Sequence, residues 1–181
     1  MKSELIKRII SAIILIPLIL FFVIKGTFIF NCFITICFLI TVYEWSNMSK
    51  NKPYKVFGYV FLLFSFYTVY FVRHKLEENS LFIFLFILII CISTDIGGYI
   101  FGKIFKGPKL TKISPKKTYA GVVGGYFLSI ISANILTNFS KLFSENYVSF
   151  EKDDFFFVLI ISTVSQIGDI IISYFKRLSK I

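Results

Sequence analysis

Long apolar runs alternate along this chain with short, mostly basic connections, and the runs are too long for strands and too uninterrupted for helices with one wet face. About 20 residues carry a helix across roughly 30 Å of hydrocarbon at about 1.5 Å per residue. Six stretches approach or meet that length: Ile6–Ile24, Gly26–Tyr43, Lys55–Val72, Leu81–Phe101, Tyr119–Thr137 and Asp154–Phe175. The pattern therefore predicts an all-α integral membrane protein with about six transmembrane helices. Pro17 falls inside the first run, where a packed bundle tolerates it. Lys2, Lys7 and Arg8 ahead of the apolar residues from Ile9 onward resemble the start of a signal peptide, but no small-residue cleavage site follows, and the run is read as an anchor.

Composition agrees with the pattern. Apolar residues make up 56% of the 181 positions and the mean hydropathy is +0.80, which excludes an ordinary soluble domain. The net charge of +10 is distributed rather than clustered. Fifteen of the twenty Lys and Arg fall in the N-terminus, the second and fourth connections and the C-terminus, and five fall on the other side. Positive charge is retained on the cytoplasmic face, so both termini are expected there. Basic residues beside a bilayer are matched by anionic headgroups, and no nucleic-acid partner is expected. Cys32, Cys37 and Cys91 all lie within apolar runs without a CxxC pair, which gives no disulfide framework and no thiolate metal site.

Short connections and the absence of an internal repeat point to one helical membrane domain. Residues 1–80 hold its first three spans, and residues 81–181 hold the rest with a cytoplasmic loop at 102–120. Gly107-Pro108 and Ser114-Pro115 mark that loop as irregular.

Candidate chemistry concentrates in the second region. A carboxylate within a membrane span costs about 2.5 to 3.5 kcal/mol on insertion scales and usually faces a bundle interior or a wet cavity. Asp95 in the fourth span and Asp169 in the sixth are both such residues. Each lies fourteen residues from the outer end of its span, counted from Leu81 and Phe155, or about 21 Å of helix. Two carboxylates at one depth can hold a divalent cation that bridges phosphate oxygens; the plainer alternative is that each accepts hydrogen bonds from a neighbouring helix. Ser114-Pro115-Lys116-Lys117-Thr118 places hydroxyls around adjacent ammonium groups at the expected N-terminus of the fifth helix, where amides and the helix dipole favour anions. It is not a GxxxxGK[ST] phosphate loop. Lys103, Lys106, Lys109 and Lys112 are read as headgroup contacts. Gly97-Gly98 and Gly121 to Gly125 are read first as helix-packing positions. Lys176 and Arg177 are either stop-transfer charges or anion ligands, Trp45 fits an interfacial aromatic belt, and His74 reads as a solvated loop residue.

Taken in order, these motifs resemble the phosphatidate cytidylyltransferase (CDP-diacylglycerol synthase) family over roughly residues 81–181. Asp95-Ile96-Gly97-Gly98-Tyr99-Ile100-Phe101-Gly102 is similar to the family's Asp-x-Gly-Ala-Tyr-x-x-Gly element. Ser114 to Gly121 with Gly124-Gly125 is similar to its Ser-Pro-x-Lys-Thr-Trp-x-Gly loop. Gly168-Asp169 with Ser173-Tyr174-Phe175-Lys176-Arg177 looks like the opening of its C-terminal signature. The resemblance implies transfer of CMP from CTP to phosphatidate, with Mg2+ as cofactor, in phospholipid biosynthesis at a bacterial inner membrane, with the site on the cytoplasmic side. It implies Asp169 and then Asp95 as metal ligands, with Lys117 as a catalytic cation. Ser114, Lys116 and Thr118 are implied at the nucleotide phosphates, and Lys176 and Arg177 at the lipid phosphate or pyrophosphate. A homo-oligomer is compatible with this reading.

The chain also departs from the family pattern. Tyr119 stands for Trp, Ala120 for a polar or acidic residue and Ile172 for Glu. The family signature continues past Ile181 into a His-Gly-Gly segment with further acids, so an activity impaired by truncation is part of the expectation. A non-catalytic remnant or subunit, or a transporter of an anionic solute, are the alternatives.

Overall fold

The computed structural model describes residues 2–50, 52–74, 80–111, 114–115, 117–143 and 150–179. Among them the chain forms six helices: α1 (Lys2–Lys25), α2 (Thr27–Met48), α3 (Lys55–His74), α4 (Ser80–Phe105), α5 (Tyr119–Phe143) and α6 (Lys152–Leu178). Each expected span coincides with one of them, Gly26 serving as the N-cap of α2. Among the described residues five helices are long and apolar enough to cross a membrane, and α1 adds a shorter apolar stretch, Ile14–Lys25. The protein is an all-α integral membrane protein. Its helices outrun the apolar runs because backbone hydrogen bonding continues into the interface until the sequence stops it, as Gly107-Pro108 does two residues after α4.

The chain divides into two compact units, Met1–Leu81 and Phe82–Ile181. In the first, a tight connection joins α1 to α2 at Gly26, which has φ of 60°. Arg73 at the end of α3 braces it, donating from Nε and Nη2 to the Val23 carbonyl at 3.1 and 3.0 Å. That carbonyl belongs to the last turn of α1, where acceptors lack intrahelical partners. Val23 and Phe30 are buried beneath the brace. At the opposite ends of α2 and α3, Trp45 lies against Gly58, where any Cβ would collide with the indole, and donates from Nε1 to the Lys55 carbonyl at 3.0 Å. Trp45 is therefore a buried lock on the α2–α3 connection and not a member of an exposed aromatic belt. His74 closes α3 with its Nε2 3.0 Å from Asn31 Oδ1 and its ring against Phe30 and Tyr70, so it too is a packed residue.

The second unit packs α4, α5 and α6. Phe86, Ile90, Ala133 and Val158 form its buried apolar core. Toward the other end of α4 the contacts become polar and close. Gly97 and Gly98 of α4 meet Gly124 and Gly121 of α5, and a Cβ on Gly121 would lie 2.7 Å from the Gly98 carbonyl oxygen. Lipid offers no hydrophobic gain for helix association, so close backbone packing and interhelical hydrogen bonds take its place. Thr94 and Ser162 join α4 to α6 at 2.8 Å; the Thr94 hydroxyl donates to the Ile90 carbonyl, so Ser162 is the donor between the two. Tyr126 likewise donates to Thr163 at 2.7 Å and joins α5 to α6. At the other end of α6, Glu151 and Asp154 form a capping box, the Glu151 N–H donating to Asp154 at 3.0 Å.

Candidate functional site

The connection between α4 and α5 is irregular but not loose. Lys106 has φ of 45°, which turns the chain just after α4. The Leu110 N–H donates to the Lys117 carbonyl at 2.8 Å and the Tyr119 N–H to the Pro108 carbonyl at 3.1 Å, so the loop folds back on itself before α5 starts. Within it the Lys117 N–H donates to the Ser114 carbonyl at 3.0 Å. This closes a four-residue turn with Pro115 at its second position, where the ring presets φ. The Ser114 N–H in turn donates to Thr111 Oγ1 at 3.1 Å. Proline chemistry and these bonds fix where Lys117 leaves the loop.

Lys117 then reaches α6. Its ammonium Nζ is 3.0 Å from Asp169 Oδ2 and donates to the Gln166 carbonyl at 3.1 Å. Asp95 on α4 lies within electrostatic reach of both Asp169 and Lys117. Lys117 and Asp169 thus meet from two separate motifs, and Asp95 of a third lies within electrostatic reach of them. The Lys117 side chain is 24% exposed and that of Asp169 56%, so the pair is open to an incoming ligand rather than sealed in a core. Asp169 thus meets an ammonium from the loop.

The remaining sequence candidates fall at different distances from this cluster. Thr118 is the N-cap of α5: its Oγ1 accepts the Gly121 N–H at 3.1 Å, leaving the hydroxyl hydrogen to donate elsewhere. Ser114 is in the turn that carries Lys117. Lys116 lies outside the described residues. Lys176 is seven residues beyond Asp169 in α6, hence on the same face and about 10.5 Å further along the axis, with Arg177 beside it. Lys103 lies over the Tyr99 ring at 5.6 Å. Among the glycines, Gly97, Gly121 and Gly124 are occupied in packing, whereas a Cβ on Gly168 would meet nothing within 4 Å.

Sequence reasoning passed over Gln166. It follows Ser162 by four residues and precedes Asp169 by three, on a seam of α6 that continues to Ser173 and Lys176. A polar residue at that register inside an apolar span was the available signal.

The chain is similar to known proteins. The model of the cytidylyltransferase family matches residues 6–77 and 57–181. A phosphatidate cytidylyltransferase of Rickettsia typhi is 32% identical over 180 residues, covering 97% of this chain and 78% of that protein. One of Rickettsia bellii is 31% identical over 185 residues, covering 97% and 77%. One of Staphylococcus aureus is 30% identical over 146 residues, covering 75% and 52%. No solved structure matches. The alignments run through the first three helices as well as through the clustered motifs, and the chain belongs to the cytidylyltransferase family.

Proposed function

We propose that this chain is a CTP:phosphatidate cytidylyltransferase, which transfers CMP from CTP to phosphatidate and yields CDP-diacylglycerol and pyrophosphate. The observation that carries the reading is the meeting of Lys117 and Asp169 at 3.0 Å, which joins the Ser-Pro-Lys-Lys-Thr loop to the Gly-Asp motif in one cluster. Family membership and relatives that bear this name support it.

In the reaction a phosphate oxygen of phosphatidate attacks the α-phosphorus of CTP, and the bond from that phosphorus to the oxygen bridging it to the β-phosphate breaks. Pyrophosphate leaves with the electron pair. Catalysis of such a transfer is mostly positioning and charge stabilisation. Lys117 is suited to bind the nucleotide phosphates, since two of its three N–H donors are anchored and the third is left for a ligand. Thr118 can donate its hydroxyl hydrogen, and the first turn of α5 favours anions by its amides and dipole. Lys176, two turns beyond Asp169, is placed along α6 for the lipid phosphate or for pyrophosphate, with Arg177 adjacent.

Among the described residues no group of three or more His, Cys, Asp or Glu converges. Asp95 and Asp169, within electrostatic reach of each other, are the residues that would hold Mg2+, an ion that proteins bind through one or two carboxylates with substrate phosphates and water completing its shell. When bound there, the ion would neutralise charge on the transferring and leaving phosphates.

The charge asymmetry of the loops supports a site on the cytoplasmic side of a bacterial inner membrane, where CTP is present and phosphatidate approaches laterally. The test is CTP-dependent formation of CDP-diacylglycerol in membranes carrying the 181-residue chain, in a background stripped of its own activity, with Asp169→Asn alongside. Magnesium-dependent product that Asp169→Asn abolishes supports the reading. A correctly inserted chain that makes no product overturns it in favour of a non-catalytic subunit or a transporter.

A further inference from the structure

Gln166 carries an amide that the fold itself does not use. Its Nε2 is buried and has no hydrogen-bond partner. The nitrogen sits at the junction of three helices: it is 3.2 Å from where a Cβ on Gly125 would stand, and that same point is 3.0 Å from the Thr94 carbonyl oxygen. Glycine at position 125 is what leaves room for the carboxamide. On the other side, the main-chain carbonyl of Gln166 accepts from Lys117 Nζ at 3.1 Å, and Asp169 lies one turn further along the same face.

A buried amide donor without an acceptor is a net cost to the folded state, and inside a bilayer no bulk water is available to offset it. Leucine or methionine would fill the same volume in an apolar span without that cost. Two other polar groups of this seam are paired within the protein, Ser162 with Thr94 and Asp169 with Lys117. Gln166 alone among these three is not. Its terminal torsion is broad and roughly two-fold, so the amide can turn without any shift of the helices.

We infer that the Gln166 carboxamide is a further substrate-binding donor, which hydrogen-bonds a phosphate oxygen held at the same time by Lys117. The inference rests on the proposed cytidylyltransferase reading and adds to it a specific group on α6. The ammonium is held at the main-chain carbonyl of the residue that carries the amide, so a turn of the Gln166 side chain lets one tetrahedral phosphate be gripped by a charge and by a directional donor. The phosphate belongs either to CTP or to phosphatidate, and the two sources give different kinetics.

The experiment uses the full chain in phosphatidate-containing mixed micelles, with Gln166→Met, which keeps length and volume but loses the donor. Turnover is measured against CTP and against phosphatidate, and the thermal midpoint is measured with and without each substrate. The expected result is an unchanged or raised midpoint without substrate, together with a fall in kcat/KM of about tenfold to a hundredfold, the range for a hydrogen bond to a charged group. The substrate whose KM rises, and whose stabilising shift shrinks, is the one that Gln166 holds. Wild-type kcat/KM and wild-type substrate shifts in Gln166→Met overturn the inference. So does a midpoint that falls in step with activity, or a destabilised variant that keeps the full substrate shift, because the amide is then structural. Loss of activity in Asp169→Asn beside normal activity in Gln166→Met removes this inference and leaves the cytidylyltransferase reading intact. A wild-type chain that neither reacts with the two substrates nor is stabilised by them removes both.

Discussion

Lys117 and Asp169 stand 52 positions apart in sequence, and the ammonium of the first is 3.0 Å from a carboxylate oxygen of the second. The contact crosses from the turn before α5 to the C-terminal half of α6, and Asp95 of α4 is within electrostatic reach of both charges. Positive and negative groups neutralise each other there in the absence of substrate, and each is exposed enough to be claimed by phosphate or by a cation.

Because the two side chains act as one unit, their substitutions are expected to be far from additive. Lys117→Met and Asp169→Asn should each lower CMP transfer by about a hundredfold or more, in the range found when a charge-stabilising group is removed. The double variant should lose little beyond the worse single. Initial rates of the four proteins form the cycle, and strictly multiplicative losses would show that the pair does not work together.

Gly97→Ala and Gly168→Ala should behave in opposite ways although both lie beside a candidate carboxylate. A Cβ on Gly97 collides with the Gly124 backbone, so α4 and α5 must separate, at a cost of about 1–3 kcal/mol. Gly168 has open space, and alanine there should leave stability unchanged or raise it by up to about 1 kcal/mol through helix propensity. Thermal unfolding in detergent distinguishes the two.

Trp45 is the single tryptophan of the chain, so intrinsic fluorescence reports its site alone. Buried against Gly58, it should emit at short wavelength and resist aqueous quenchers. Gly58→Ala should expel the indole and shift the emission to the red. A native emission already red and fully quenchable would contradict the packing of the α2–α3 connection.

Thr94→Val is expected to destabilise the second unit by about 0.6 to 2 kcal/mol, the range for interhelical hydrogen bonds in membranes, because Ser162 loses its acceptor. Adding Ser162→Ala should recover part of that loss, since the orphaned hydroxyl is then gone. Unfolding midpoints of the single and double variants test this.

The sequence alone determined the all-α membrane architecture and the place of each acidic group along its helix. Hydrocarbon requires long apolar runs with internally satisfied backbones, and a fixed rise per residue turns a residue count into a depth. The ordered motifs also revealed the family. Azimuth and partner were decided only by the tertiary structure. Nothing in the order Ser114 to Thr118 singles out Lys117 for Asp169, since that choice depends on a turn closed by Ser114 and on the rotation of α6. Trp45 was legible as an interfacial aromatic, but its burial depends on Gly58 lying opposite, which is a property of two helices together. Thr118 read as a phosphate ligand, and only the start of α5 showed that its oxygen also serves as a cap. The Gly97 and Gly168 positions look alike in sequence, yet only one has a neighbouring backbone within reach. Spacing along one helix fixes height and face, whereas contacts depend on which other face arrives there.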